Sequence, residues 1–253
     1  MFNFFACVFG AFVLDAGLVL ANPTNAGLSW LAMLVMLGLS GVALGSTVNK
    51  RWDGIMIDSD NRISLSRFQL ICWTILLLGS LAAMGIYNLL SKTGAGTALN
   101  IQIDPQIWAL LGLPAFTAIT ASAIKDSNRG TSTADKTNAN ADKTASDVKA
   151  RENLTADPTF DGRVLTKPDP TQARWLDMVL GDFEGAQNID ASKFQKLVIT
   201  LLVLVVYAGS IWAIFSKADG SPLTAFPPVT NGLVALLGIS HAAYLADKQF
   251  SQT

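Results

Sequence analysis

Few side chains in this 253-residue chain could carry chemistry, and those few are scattered. There is one histidine, His241, and there are two cysteines, Cys7 and Cys72. All three fall inside apolar runs. An imidazole there is the obvious proton relay, with packing or a backbone hydrogen bond as its simpler role. Asp15 is the only acidic residue well inside such a run. A carboxylate in hydrocarbon marks an ion or proton site unless it is hydrogen-bonded toward neighbouring helices. At about 1.5 Å of rise per residue the depths of Asp15 and His241 differ by roughly 10 Å, so no direct pairing is expected. The two cysteines read as small buried hydrophobes rather than a disulfide or a metal pair. The sequence has no glycine-rich phosphate loop, no cluster of metal ligands and no nucleophile–base–acid set. No catalytic residue, cofactor site or metal site is therefore assigned, and the chain is expected not to be an enzyme.

The remaining candidates come as a pair. Ser66-x-x-Gln69 opens one long apolar run, and Ser192-x-x-Gln195 opens another 126 positions on. At a helix N-cap, Ser accepts from the amide three residues on while Gln at that position reaches back to the Ser amide. A helix entering lipid cannot leave those amides unpaired. The spacing therefore predicts reciprocal caps, with Arg67 and Lys193 beside them at the phospholipid headgroups. The match extends far beyond the caps: 66–113 aligns with 192–239 without a gap, and 12 of the 48 positions are identical. Both copies contain Ala-Leu-Leu-Gly, at 109–112 and at 235–238. This is a duplicated helical hairpin.

The elements holding these residues are apolar helices. The chain is 51% hydrophobic and 15% charged, against about 25% charged in a soluble domain. Apolar runs occupy 2–21, 28–47, 68–90, 107–124, 194–215 and 229–246, close to the length that about 30 Å of hydrocarbon requires. A signal peptide ending at Ala21 or Ala26 is the rival for the first run, but no Lys or Arg precedes it. Six spans place 48–67, 125–196 and 247–253 on one side, with 16 of the 18 Lys and Arg. The other side has Lys92 and Lys217 alone. The positive-inside rule then puts both termini in the cytoplasm. A formal net charge of −1 suggests no nucleic-acid partner.

The expected fold class is all-α and integral to the membrane, with six transmembrane helices as three tandem hairpins, two of them clearly duplicated. Residues 1–50 make the first hairpin and 51–125 the second. Residues 126–170 are a flexible cytoplasmic linker, and 171–253 a short amphipathic segment followed by the third hairpin. From Asp126 to about Leu154 the chain offers almost nothing apolar to bury, which is why a linker is expected. Between Ala173 and Gly185, Trp175, Met178, Val179 and Phe183 recur at helical spacing, which predicts an amphipathic helix on the membrane face. Arg51-Trp52 and Arg174-Trp175 each precede an acidic segment and a Ser-x-x-Gln, so the repeat unit begins there.

The second, fourth and sixth helices carry small residues: Gly38, Gly41 and Gly45; Gly112; Gly238, Ala242 and Ala246. In lipid, small residues let backbones approach. These helices are expected to form an inner layer, with the bulkier third and fifth outside. Ser-Arg-Phe-Gln-x-x-x-Trp-Thr at 66–74 and Ala-Leu-Leu-Gly-Ile-Ser at 235–240 resemble motifs of a loosely defined group of bacterial multi-pass inner-membrane proteins. The second copy departs, with Ile199 in place of Trp, and the fourth helix has Pro114 for Ser. The resemblance implies a bacterial inner membrane and brings no activity with it. The expected role is a non-catalytic structural or interaction subunit of a homo- or hetero-oligomeric membrane assembly, with the lipid bilayer as its other partner. The alternative is an ion or small-solute channel or transporter lined by the even-numbered helices, although its parallel repeats do not fit the inverted-repeat pattern.

Overall fold

The computed structural model describes residues 2–22, 26–91, 98–129, 136–183 and 186–250. Its α-helices are α1 (Phe2–Ala21), α2 (Gly27–Asn49), α3 (Leu65–Leu90), α4 (Pro105–Asn128), α5 (Lys136–Glu152), α6 (Ala191–Ser216) and α7 (Asn231–Phe250). Four of them, α2, α3, α4 and α6, are long and apolar enough to cross a membrane, and α1 adds a shorter apolar stretch, Ala6–Ala21. Helices are what such runs must form, because lipid offers no partner to a free backbone amide. Local chemistry sets their ends. Asp190 caps α6 by accepting from Lys193 N at 3.0 Å. Pro105 opens α4, where a missing N–H costs nothing.

The two duplicated hairpins close into a four-helix ring: α3 packs on α4, α4 on α7, α7 on α6 and α6 on α3. The α1–α2 hairpin lies against α3, which makes α3 the central helix. Its Trp73, Met84 and Tyr87 are essentially inaccessible, and Trp73 meets Tyr207 of α6 at 6.4 Å between ring centroids. The expected layering fails at α3, which lies inside, whereas α6 keeps an exposed apolar face as expected. Positions 38, 112 and 238 face open space, and a Cβ on Gly41 would meet only the Ile55 Cδ1 methyl, at 3.7 Å. Ala242 and Ala246 are exposed. Gly45 is tight, but against the backbone of Gly54 and Ile55 rather than another helix. Volume explains the exchange at α3. Bulky α3 side chains fill the interior, so the small residues of α2, α4 and α7 are left on the outer surface.

At one end of the ring the hairpin loops are tied together. Asn88 Nδ2 donates to Leu223 O at 2.9 Å, Leu223 N donates back to Asn88 Oδ1 at 2.7 Å, and Gly220 N donates to the Tyr87 hydroxyl at 2.8 Å. At the other end, residues 50–64, 136–183 and 186–190 build a cap. The 126–170 stretch is not a bare linker. It contains α5 and an antiparallel hairpin of β1 (Thr159–Asp161) with β2 (Val164–Thr166). One large apolar residue of α5, Val148, suffices, because Leu154, Leu165 and Ala186 close over it. Composition within α5 could not show this, since Val148's partners all lie beyond the helix. Ala173–Gly185 also departs from expectation. Its described part is a single 3-10 turn, Trp175–Met178, and then Leu180 bridged to Ile189; Gly185 lies outside the described residues.

Candidate functional site

Neither Ser-x-x-Gln forms a cap. Helix α3 has Ser64 at its N-cap, with no side-chain bond to the first turn, so Ser66 and Gln69 lie inside the helix, both buried. In the second copy Asp190 takes the cap, Ser192 falls in the first turn and Gln195 is exposed. Arg67 is exposed and donates to Ile57 O at 2.7 Å, whereas Lys193 is buried. Gln69 instead reaches across the ring: its Nε2 donates to Thr200 Oγ1 of α6 at 2.7 Å. Thr200→Val would leave the Gln69 amide only its long 3.4 Å bond to Lys196 O, with an expected loss of about 1–3 kcal/mol. Thermal unfolding in detergent checks this; Thr200→Ser keeps the donor's partner and should melt like the parent.

Around this bond all four ring helices contribute polar groups. His241 of α7 shares a 2.6 Å hydrogen bond with Thr117 of α4. The Thr117 hydroxyl already gives its single proton to Leu113 O at 2.8 Å, so the imidazole Nδ1–H is the donor. Lys196 of α6 is fully buried, 3.4 Å from Ser66 Oγ and 4.1 Å above the centre of the Tyr244 ring. Among the described residues it has no carboxylate in ion-pair range. Asp15 stands apart from this centre, buried on α1, which packs on α2 and α3. The structure does not bring Asp15 and His241 together.

Directly above the polar centre lies an ionic knot. Asp182, from the cap, inserts among helix ends, with its Oδ2 2.9 Å from Lys193 Nζ of α6 and 2.8 Å from Lys248 Nζ of α7. Its Oδ1 faces Lys125 Nζ of α4 and an Arg62 guanidinium nitrogen, each at 3.4 Å. Lys125 also holds Asp58 at 2.7 Å and Asp60 at 2.8 Å, and Arg129 closes on Asp60. Burial alone would raise the Asp182 carboxyl, but Lys125, Lys193, Lys248 and Arg62 outweigh it and hold the group well below the ordinary carboxylate range. Burial is likewise outweighed at Asp58, by Lys125. A second knot staples the cap internally: Lys167, fully buried, lies 2.5 Å from Glu152 and 2.8 Å from Asp177.

No family model, curated protein or solved structure matches this chain. Its site must be interpreted from geometry. Sequence reasoning missed Arg62, Lys125, Asp182, Lys196 and Lys248, because the four cations counted only as positive charge on one side of the membrane and nothing local marks Asp182. One signal was present: Lys196 falls within the fifth apolar run, where the aligned residue of the first copy is Leu70. Among the described residues no three His, Cys, Asp or Glu side chains converge as metal ligands. The arrangement concentrates charge and fixes a cap to a bundle.

Proposed function

We propose that this chain is a non-catalytic, multi-pass protein of the bacterial inner membrane. In this reading its six helices hold a rigid cytoplasmic cap, which acts as an interaction subunit of a homo- or hetero-oligomeric assembly. The observation that carries it is the Asp182 knot, because one cap carboxylate engages the ends of α4, α6 and α7 at once and makes cap and bundle a single body. A rigidly held, non-enzymatic domain suits presentation to a partner. Interfacial aromatics support the membrane level. Trp52 and Trp175, the repeated Arg-Trp pair, stack at 5.6 Å beside Phe68 near the start of α3, where tryptophan favours the membrane–water boundary.

Topology is checked by single cysteines in a background lacking Cys7 and Cys72. Ser221→Cys should label from the periplasm and Asp161→Cys only after permeabilisation; the opposite pattern would reverse the orientation. Native-size measurement should give a species larger than the monomer, and a strictly monomeric protein with no co-purifying partner would refute the assembly role. A channel is the second reading, favoured by the polar groups of Gln69, Thr117, Lys196 and His241 inside the ring. Weighing against it, Trp73 and Tyr207 fill the ring's interior. Ion flux through the purified protein in liposomes would favour the channel.

A further inference from the structure

Beside the ionic knot lies a cavity of about 230 Å³. We infer that it is a binding site for a phosphate group, supplied by the headgroup of an anionic phospholipid or by free phosphate. The inference rests on the membrane placement proposed above and not on the assembly role. A single water needs only about 10–15 Å³ of such space, so there is ample room for a tetrahedral anion. The lining residues left exposed, Ser59, Arg67, Ser122 and Asp126, mark its mouth, beside the start of α3 and the last turns of α4. The interior brings together Arg62, Lys125, Lys193 and Lys248.

Four carboxylates also line the cavity, and the proposal depends on their being spent. Asp182 is shared by four cations. Asp58 accepts from the Asp60 and Arg62 amides and from Lys125. Asp177 accepts from Lys167 and from Arg174 N, and Asp126 at the rim pairs with Arg129. Donors, by contrast, are left over. Arg62 is buried, and its Nε makes no hydrogen bond, facing Asp177 only at 3.8 Å. Arg67 gives one hydrogen bond, to Ile57 O, and lines the mouth as an exposed residue. Ser64 and Leu65 line the wall where α3 begins without a side-chain cap, so the positive end of the helix dipole faces the same space. The buried Arg62 Nε without an acceptor, a helix N-terminus and the Arg67 guanidinium at the mouth together form a recognisable phosphate receptor.

The test uses the full-length protein in two arms. In the first, native mass spectrometry follows retention of phosphatidylglycerol against phosphatidylcholine from mixed nanodiscs. In the second, thermal unfolding in uncharged detergent is followed against inorganic phosphate. Arg67→Gln and Ser122→Glu alter exposed mouth residues, so folding should survive, and each should weaken binding by about fivefold or more. Preferential phosphatidylglycerol retention, lost in both variants, supports the proposal with lipid as the source. A phosphate-dependent rise in Tm, lost in both variants, supports it with free phosphate as the source. Absence of both effects in the parent, or their survival in both variants, overturns it. Carbonate extraction is run alongside: a protein released from membranes would refute the membrane placement, while the phosphate arm would still report on the cavity.

Discussion

Asp182→Asn is expected to release the cap from the bundle while leaving the helices inserted. The substitution removes the carboxylate shared by Arg62, Lys125, Lys193 and Lys248 and leaves the cations buried. Removing one partner from a buried ionic cluster typically costs about 3–5 kcal/mol. Limited proteolysis should then cut within residues 136–183 much faster than in the parent. Lys248→Met, added to Asp182→Asn, should recover part of the loss, because it deletes a buried charge that has lost its carboxylate. The pH dependence has a definite sign. The folded Asp182 carboxyl lies well below its ordinary 3.8. A depressed carboxylate contributes stability that is fully present above the ordinary value and fades as pH falls through the folded one. Acid should therefore loosen the parent cap only below about pH 4, with Asp58 and Glu152, both also lowered, acting in the same window. Unchanged protease protection in Asp182→Asn would mean that the knot does not hold the cap.

The helices and their duplication were legible because an apolar run in lipid has essentially one solution. What could not be seen was how the copies meet. Identity at Ser66/Ser192 and Gln69/Gln195 suggested two equal local caps. In the structure Gln69 of one copy bonds Thr200 of the other, while Gln195 is exposed. The charge at the centre sits where the copies diverge, with Lys196 aligned to Leu70. The repeated Arg-Trp pair was legible as a boundary, and only folding showed its two tryptophans stacked. The cap was hidden for a different reason. Its docking depends on ion pairs between segments more than 60 residues apart, such as Lys125 with Asp58 and Lys248 with Asp182, and no local periodicity records them.

Glycines of α2, α4 and α7 allow the small-residue idea to be tested where it holds and where it does not. Gly45→Ala should be strongly disruptive, because its Cβ would lie 2.7 Å from Ile55 N and 2.9 Å from Gly54 N. Those are backbone atoms and cannot rotate away, so the 3-10 turn Gly54–Met56 must move. Asn49 Nδ2 also donates to Gly54 O at 2.6 Å, so the shift would break that bond as well. Overpacking of this kind typically costs about 1–3 kcal/mol, and Gly45→Leu should cost more. The damage should spread, since the turn leads directly to Asp58, Asp60 and Arg62 of the knot. Gly112→Leu and Gly238→Leu, which meet open space, should leave Tm in detergent and native size nearly unchanged. An inner layer built from small residues requires the reverse ranking, with Gly112→Leu and Gly238→Leu the damaging pair. Equal damage at all three positions would mean that faces open within one chain are covered by another copy, which native-size measurement would show as loss of the assembly in Gly112→Leu and Gly238→Leu alone.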